Sequence, residues 1–198
     1  MGTSGHANPC DDLAMTVFLA PPTPLSDGPT ELRPLARATD IYIDPVVSAM
    51  GDIDLAAWLA HRSGNQPTDA RALVGEWVEG WKRGTNATFG VVADDRLIAV
   101  ISAVVADDPE VAELGIWVHQ DTRRRGLATA AVKLLADWCF RSGIERVWIE
   151  IDPDNDASHA LARSVGFVHE GVLRSHCGDR RTNQRHDCVF YSLLPSDS

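Results

Sequence analysis

Hydrophobic positions along this chain follow two rhythms, and where one gives way to the other the elements can be read. From Glu145 to Asp152, Val147, Ile149 and Ile151 alternate with Arg146, Trp148 and Glu150, the spacing of a strand with one buried face. Ala112–Val118, Phe89–Ala93 and Leu97–Val105 also read as strands, the last two joined at Asp94-Asp95-Arg96 in an antiparallel hairpin. Glu31–Leu35 reads as the first strand. Helical spacing covers 40–62, through Leu55, Trp58 and Leu59, and 68–83, through Leu73, Trp77 and Trp81. Thr68-Asp69 is a start signal for the second of these helices and Gly84 a stop. The three tryptophans either pack a core or wall a pocket. Leu127–Arg141 reads as a third helix. After Pro153-Asp154, Asn155 or Asp156 can cap a short helix that runs to Val165, where Gly166 stops it and Phe167 opens another extended run. Residues 185–194 form a final strand. Residues 1–28 are rich in Pro, Gly, Ser, Thr and Asp without period, which predicts a poorly ordered start to a single domain spanning 29–198.

The chemistry concentrates between the strand ending at Val118 and the helix opening at Leu127. Arg123-Arg124-Arg125-Gly126-Leu127-Ala128 places positive charge and small residues at a helix start, whose first N–H groups lack intrahelical partners. Such a terminus attracts phosphate, and Gly126 and Ala128 put no bulk between it and the backbone. The spacing is neither a P-loop nor the dinucleotide G-x-G-x-x-G. It reads as a pyrophosphate cradle of the form R-x-x-G-x-A.

Charge and cysteine usage narrow the partners. A net charge of −10 argues against nucleic acid and against an acidic membrane surface, and favours the approach of a cationic amine. No apolar run is long enough to span a membrane and no signal peptide is read, so a cytoplasmic location is expected. Cys10, Cys139, Cys177 and Cys188 form no C-x-x-C pair and read as reduced thiols, with a Cys177–Cys188 cross-strand bridge as the minor alternative. No His, Cys, Asp or Glu grouping has metal-ligand spacing, so no metal is expected.

The R-x-x-G-x-A loop resembles the acyl-CoA loop of the GCN5-related N-acetyltransferases. Residues 151–174 resemble the Asn-x-x-Ser … Gly-Phe … Glu-Gly-x-Leu-Arg run of their RimJ/RimL-like branch, and Asp187 and Tyr191 fall where its last strand carries the same pair. The resemblance implies an α+β fold: one mixed, mostly antiparallel sheet of about six to seven strands, flanked by helices and with its central strands splayed. It implies acetyl-CoA as co-substrate and a primary amine as acceptor, either a protein N-terminus or a small molecule, with direct attack in a ternary complex. A homodimer is among the assemblies it allows. A non-catalytic acyl-CoA-binding regulatory module on the same fold is the alternative.

Carried over by position, the pantetheine arm would lie along Ile116, Trp117 and Val118, with the Val118 N–H as oxyanion donor. Arg123, Arg124, Arg125, Gly126, Leu127, Ala128 and Thr129 would hold the pyrophosphate, although Arg124 and Arg125 read equally well as solvated charges. Asn155 would bond the pantetheine or fix its own turn. Ser158 takes the place of the hydroxyl beside the departing sulfur, where many relatives carry a Tyr that this chain lacks. Glu113 is the first candidate for general base and His176 the second. Asp187 and Tyr191 read as structural.

Overall fold

The computed structural model describes residues 17–19, 23–37, 70–93, 96–105, 107–179 and 184–197. Its elements in chain order are β1 (Leu25–Asp27), β2 (Thr30–Pro34), α1 (Ala70–Arg83), β3 (Asn86–Ala93), β4 (Arg96–Val105), β5 (Val111–Val118), α2 (Leu127–Arg141), β6 (Arg146–Ile151), α3 (Asp156–Val165), β7 (Val168–Asp179) and β8 (Gln184–Leu193). The strands form one sheet in the order β1-β2-β3-β4-β5-β6-β8-β7. Every pairing is antiparallel except β5–β6, the parallel pair that α2 connects.

The sheet has eight strands rather than the six or seven expected. The additional strand, β1, falls inside the stretch expected to be poorly ordered. It pairs with β2 from Leu25↔Leu32 to Asp27↔Thr30, and the turn falls at Gly28, whose φ is +57°. Phe18, in the same stretch, is 1 % exposed and stacks on Trp138 at 5.1 Å. The helix expected over 40–62 lies outside the described residues.

One face of the sheet packs against α2. Phe89, Ile101, Ala112, Leu114 and Val147 meet Leu135, Trp138 and Cys139 in a continuous apolar core. Trp138 is its aromatic centre, touching Phe18, Trp81 and Phe89. Trp81 therefore packs the core, and its Nε1 donates to the Thr88 carbonyl at 2.9 Å. Both later helices have the bounds expected, Leu127–Arg141 and a short helix ending at Val165. Asn155 Oδ1 accepts from the Ser158 N–H at 3.1 Å to open α3, and Gly166 closes it with φ +110°.

A clamp spans the far edge of the sheet. Arg146 on β6 makes a bidentate ion pair with Glu170 on β7, and Ser192 on the intervening β8 donates to the same carboxylate at 2.7 Å. The Arg146 guanidinium, then the Ser192 hydroxyl, lower the Glu170 pKa to about 2. Cys177 and Cys188, read as reduced thiols, are joined by a disulfide across β7 and β8 with their Cα atoms 5.9 Å apart.

Candidate active site

The site begins with a parting of strands. β5 and β6 pair only at Val111↔Arg146, Ala112↔Val147 and Glu113↔Trp148, after which β5 stays with β4 and β6 with β8. The His119 N–H donates to the Ile98 carbonyl at 2.9 Å, which makes Ala99↔Val118 a non-hydrogen-bonded pair. Antiparallel alternation then turns the backbone groups of Ile116 and Val118 into the wedge, and those of Trp117 toward β4. Buried backbone groups require partners, so a ligand carrying amides of its own suits this opening.

At the mouth of the wedge a short 3-10 turn, Gln120–Thr122, leads to α2. Thr122 is buried and its hydroxyl donates to the His119 carbonyl at 2.9 Å, anchoring the loop. Arg124 has φ +63° and Gly126 +75°. Left-handed residues in such a loop turn successive N–H groups toward one concavity. Gly126 is the N-cap of α2 and supplies no side-chain cap, so the first N–H groups of the helix are left for a ligand. A Cβ built on Gly126 meets no atom within 4 Å among the described residues, so the demand for glycine comes from its φ.

The remaining expected residues divide by location. Arg123 turns its Nε to the Val118 carbonyl at 3.1 Å, while Arg124 and Arg125 are exposed. Leu127 and Ala128, half-buried, form the first turn of α2. The Thr129 hydroxyl bonds to Ser164 at 3.1 Å and joins α2 to α3, so only its backbone faces the cradle. Asn155 is exposed and Ser158 half-buried at the start of α3, close in sequence to the end of β6. Trp117 lies on the sheet face away from α2; it is 6 % exposed and its Nε1 is buried without a hydrogen-bond partner among the described residues. Glu113 shares that face, at the closed end of the wedge. Tyr191 is buried with its hydroxyl 3.1 Å from His159 Nδ1, and Asp187 accepts from the Ser175 N–H at 2.7 Å.

The sequence reading passed over one residue, Glu150. It lies two positions past the last β5–β6 pairing, so continuing the register places it level with Gly115. Its side chain is 11 % exposed, and its oxygen is 3.6 Å from His176 Nε2. Phe190 pairs with it on β8, stacking on Trp148 at 5.0 Å and meeting the His176 ring edge-on at 5.3 Å. The signal was present in the alternation of Arg146, Trp148 and Glu150, which marks the face opposite the core. What it lacked was the point at which the strands separate. His176, the second candidate for general base, is the neighbour of this carboxylate.

The acetyltransferase (GNAT) family model matches residues 52–167, more than half of the chain. The ribosomal protein bS18-alanine N-acetyltransferase of Salmonella typhimurium is 30% identical over 152 residues, covering 75% of this chain and 96% of that protein. Among solved structures, the ribosomal-protein α-N-acetyltransferase RimL in complex with coenzyme A superposes with a TM-score of 0.72 at 19% identity, covering 89% of this chain and 100% of that one. Mycobacterium smegmatis RimJ, solved with a CoA disulfide, gives 0.71 at 20% identity over 88% of each chain. These two likenesses bear on the fold. The family match and the bS18-alanine acetyltransferase relative place the chain in the GNAT family, as an acetyl-CoA-dependent N-acetyltransferase.

Proposed function

We propose that the chain transfers acetyl from acetyl-CoA to the N-terminal α-amine of a protein, with a ribosomal protein as the acceptor. The observation that carries this reading is the β5–β6 wedge opening beside the uncapped start of α2. The cradle from Arg123 to Thr129 holds the diphosphate through backbone N–H groups and the positive end of the helix. The pantetheine arm then runs inward, and its amides replace a missing strand.

Two N–H groups, of Val118 and Ile116, face the arm from β5. Val118 lies nearer the cradle and takes an amide of the arm. Ile116 lies deeper, and its N–H is the better donor to the thioester oxygen as charge develops there. The Asn155 carbonyl oxygen is occupied by its cap, which leaves its amide NH2 for the arm. Ser158, in the first turn of α3, donates to the leaving sulfur.

The amine enters from the face that carries Glu113, Gly115 and Glu150, where glycine puts no side chain in its way. An α-amine titrates near 7.7–8.0 and a lysine near 10.4, so the former needs less help to become a nucleophile. Glu150 takes its proton, directly or through one water, with the His176 ring 3.6 Å from the carboxylate to orient it. Glu113, two residues below, attracts the cationic acceptor.

The acceptor assignment is supported by the bS18-alanine acetyltransferase relative and by the net charge of −10, which suits a basic ribosomal partner. The test is release of free CoA from acetyl-CoA with three acceptors: ribosomal-protein N-terminal peptides, the same peptides blocked at the α-amine but retaining lysine, and small amines. Turnover with the first alone is expected. Equal turnover with blocked peptides or small amines overturns the acceptor assignment, and acetyl-CoA binding without any turnover favours the regulatory-module reading.

A further inference from the structure

The β7–β8 hairpin brings together three residues that no spacing rule would connect. Cys177 pairs with His186 across the two strands, and Cys188, two residues on, shares a face with His186. One ligand atom from each lies within 4.8 Å of the others. Both sulfurs are buried, at 2 % residue exposure, while His186 is half-exposed with Asp152 Oδ2 3.3 Å from its Nε2.

We propose that the reduced chain binds one divalent cation of the zinc type through Cys177 Sγ, Cys188 Sγ and a ring nitrogen of His186, with a water in the fourth position. Two thiolates and an imidazole are a donor set for a borderline-soft d10 ion, which takes four ligands in a tetrahedron. A buried thiolate without a cation is costly, and a cation removes that cost. Asp152 completes the arrangement by holding the imidazole, as a carboxylate commonly does behind a metal-binding histidine.

The disulfide is the metal-free form, and the two states exclude each other. A thiol or phosphine reductant supplies two electrons, and two protons from water or the thiol complete the dithiol as the sulfur–sulfur bond breaks. Metal binding then releases the thiol protons to solvent. The cation fastens the hairpin one residue from His176, the neighbour of Glu150.

Cobalt(II) is the probe for the full chain, reduced with a phosphine and handled without oxygen. One cobalt per chain with a thiolate-to-cobalt charge-transfer band in the near ultraviolet is expected, and added zinc should displace it. Cys177→Ser and Cys188→Ser should each abolish the band, and Asp152→Asn should weaken binding by about 10–100-fold. Cys139→Ser should leave the band intact, because burial raises the pKa of that thiol and it lies in the α2 core. A fully reduced wild type without the band overturns the proposal whatever the variants do. So does a band that persists in both Cys177→Ser and Cys188→Ser. Unchanged cobalt affinity in His186→Ala removes the histidine from the site.

Discussion

At Gly126 the local conformation and the proposed diphosphate make the same demand. Its φ of +75° costs a non-glycine residue about 1–2 kcal/mol. If that strain is relieved by moving the loop, acetyl-CoA binding weakens by roughly tenfold. Gly126→Val is therefore expected to raise the acetyl-CoA KM about tenfold or more with little change in melting temperature; calorimetric titration and steady-state kinetics check it. Glu150→Gln should lower kcat by about 100-fold or more at an unchanged acetyl-CoA KM, because a lost general base commonly costs that much. Glu113→Gln should instead raise the acceptor KM, since the proposed role of Glu113 is to attract the cation. Equal kcat losses in the two variants would contradict this division, and steady-state kinetics with both substrates varied separates the cases. The local geometry at Gly126 and at Asn155 with Ser158 was legible in the sequence because a helix start is set by immediate neighbours. Glu150 was not, because its position in the wedge depends on where β6 leaves β5, which a single strand does not encode.

Elements were legible where their ends are capped. α3 carries its own start and stop residues, Asn155 and Gly166, and begins and ends where these predict. β1 was missed because three residues, Leu25–Asp27, are too few to show alternation and are held only by their pairing with β2. The β7–β8 hairpin was legible as two strands but not as a register, so a Cys177–Cys188 bridge stood only as a minor alternative and the addition of His186 to that pair was not read. The clamp on β6, β8 and β7 leads to a pH prediction. The Glu170 pKa is lowered in the folded chain to about 2, below its ordinary value of 4.5, so its stabilising effect is complete above that ordinary value. It fades as pH falls from about 4.5 toward 2. The carboxylate is 38% exposed, so solvent screening limits the effect to about 1 kcal/mol or less. Glu170→Gln should lower the melting temperature by a few degrees at pH 7 and hardly at all near pH 2, as thermal scans across pH would show.

For the molecule as a whole, the sheet divides into a closed half and a half parted where β5 leaves β6. The closed half is knit by Trp138, on which Phe18 stacks from beyond the first strand. Phe18→Ala should destabilise the fold by about 3–5 kcal/mol, the usual cost of deleting a buried aromatic ring, measurable by urea unfolding. A loss below about 1 kcal/mol would mean that this segment does not belong to the core. Helical and strand periodicity showed which residues are apolar, but not that Phe18 reaches α2, since no period links it to a later element. The parted half is where the chemistry is proposed, and amide resonances test this without any assumption about the acceptor. In a titration of uniformly 15N-labelled protein with acetyl-CoA, the largest shifts are expected at the N–H groups of Ile116 and Val118 and from Gly126 to Thr129, with Trp117 moving less because it pairs with β4. Saturation with those amides unmoved, and the largest shifts on another face of the sheet, would contradict the account.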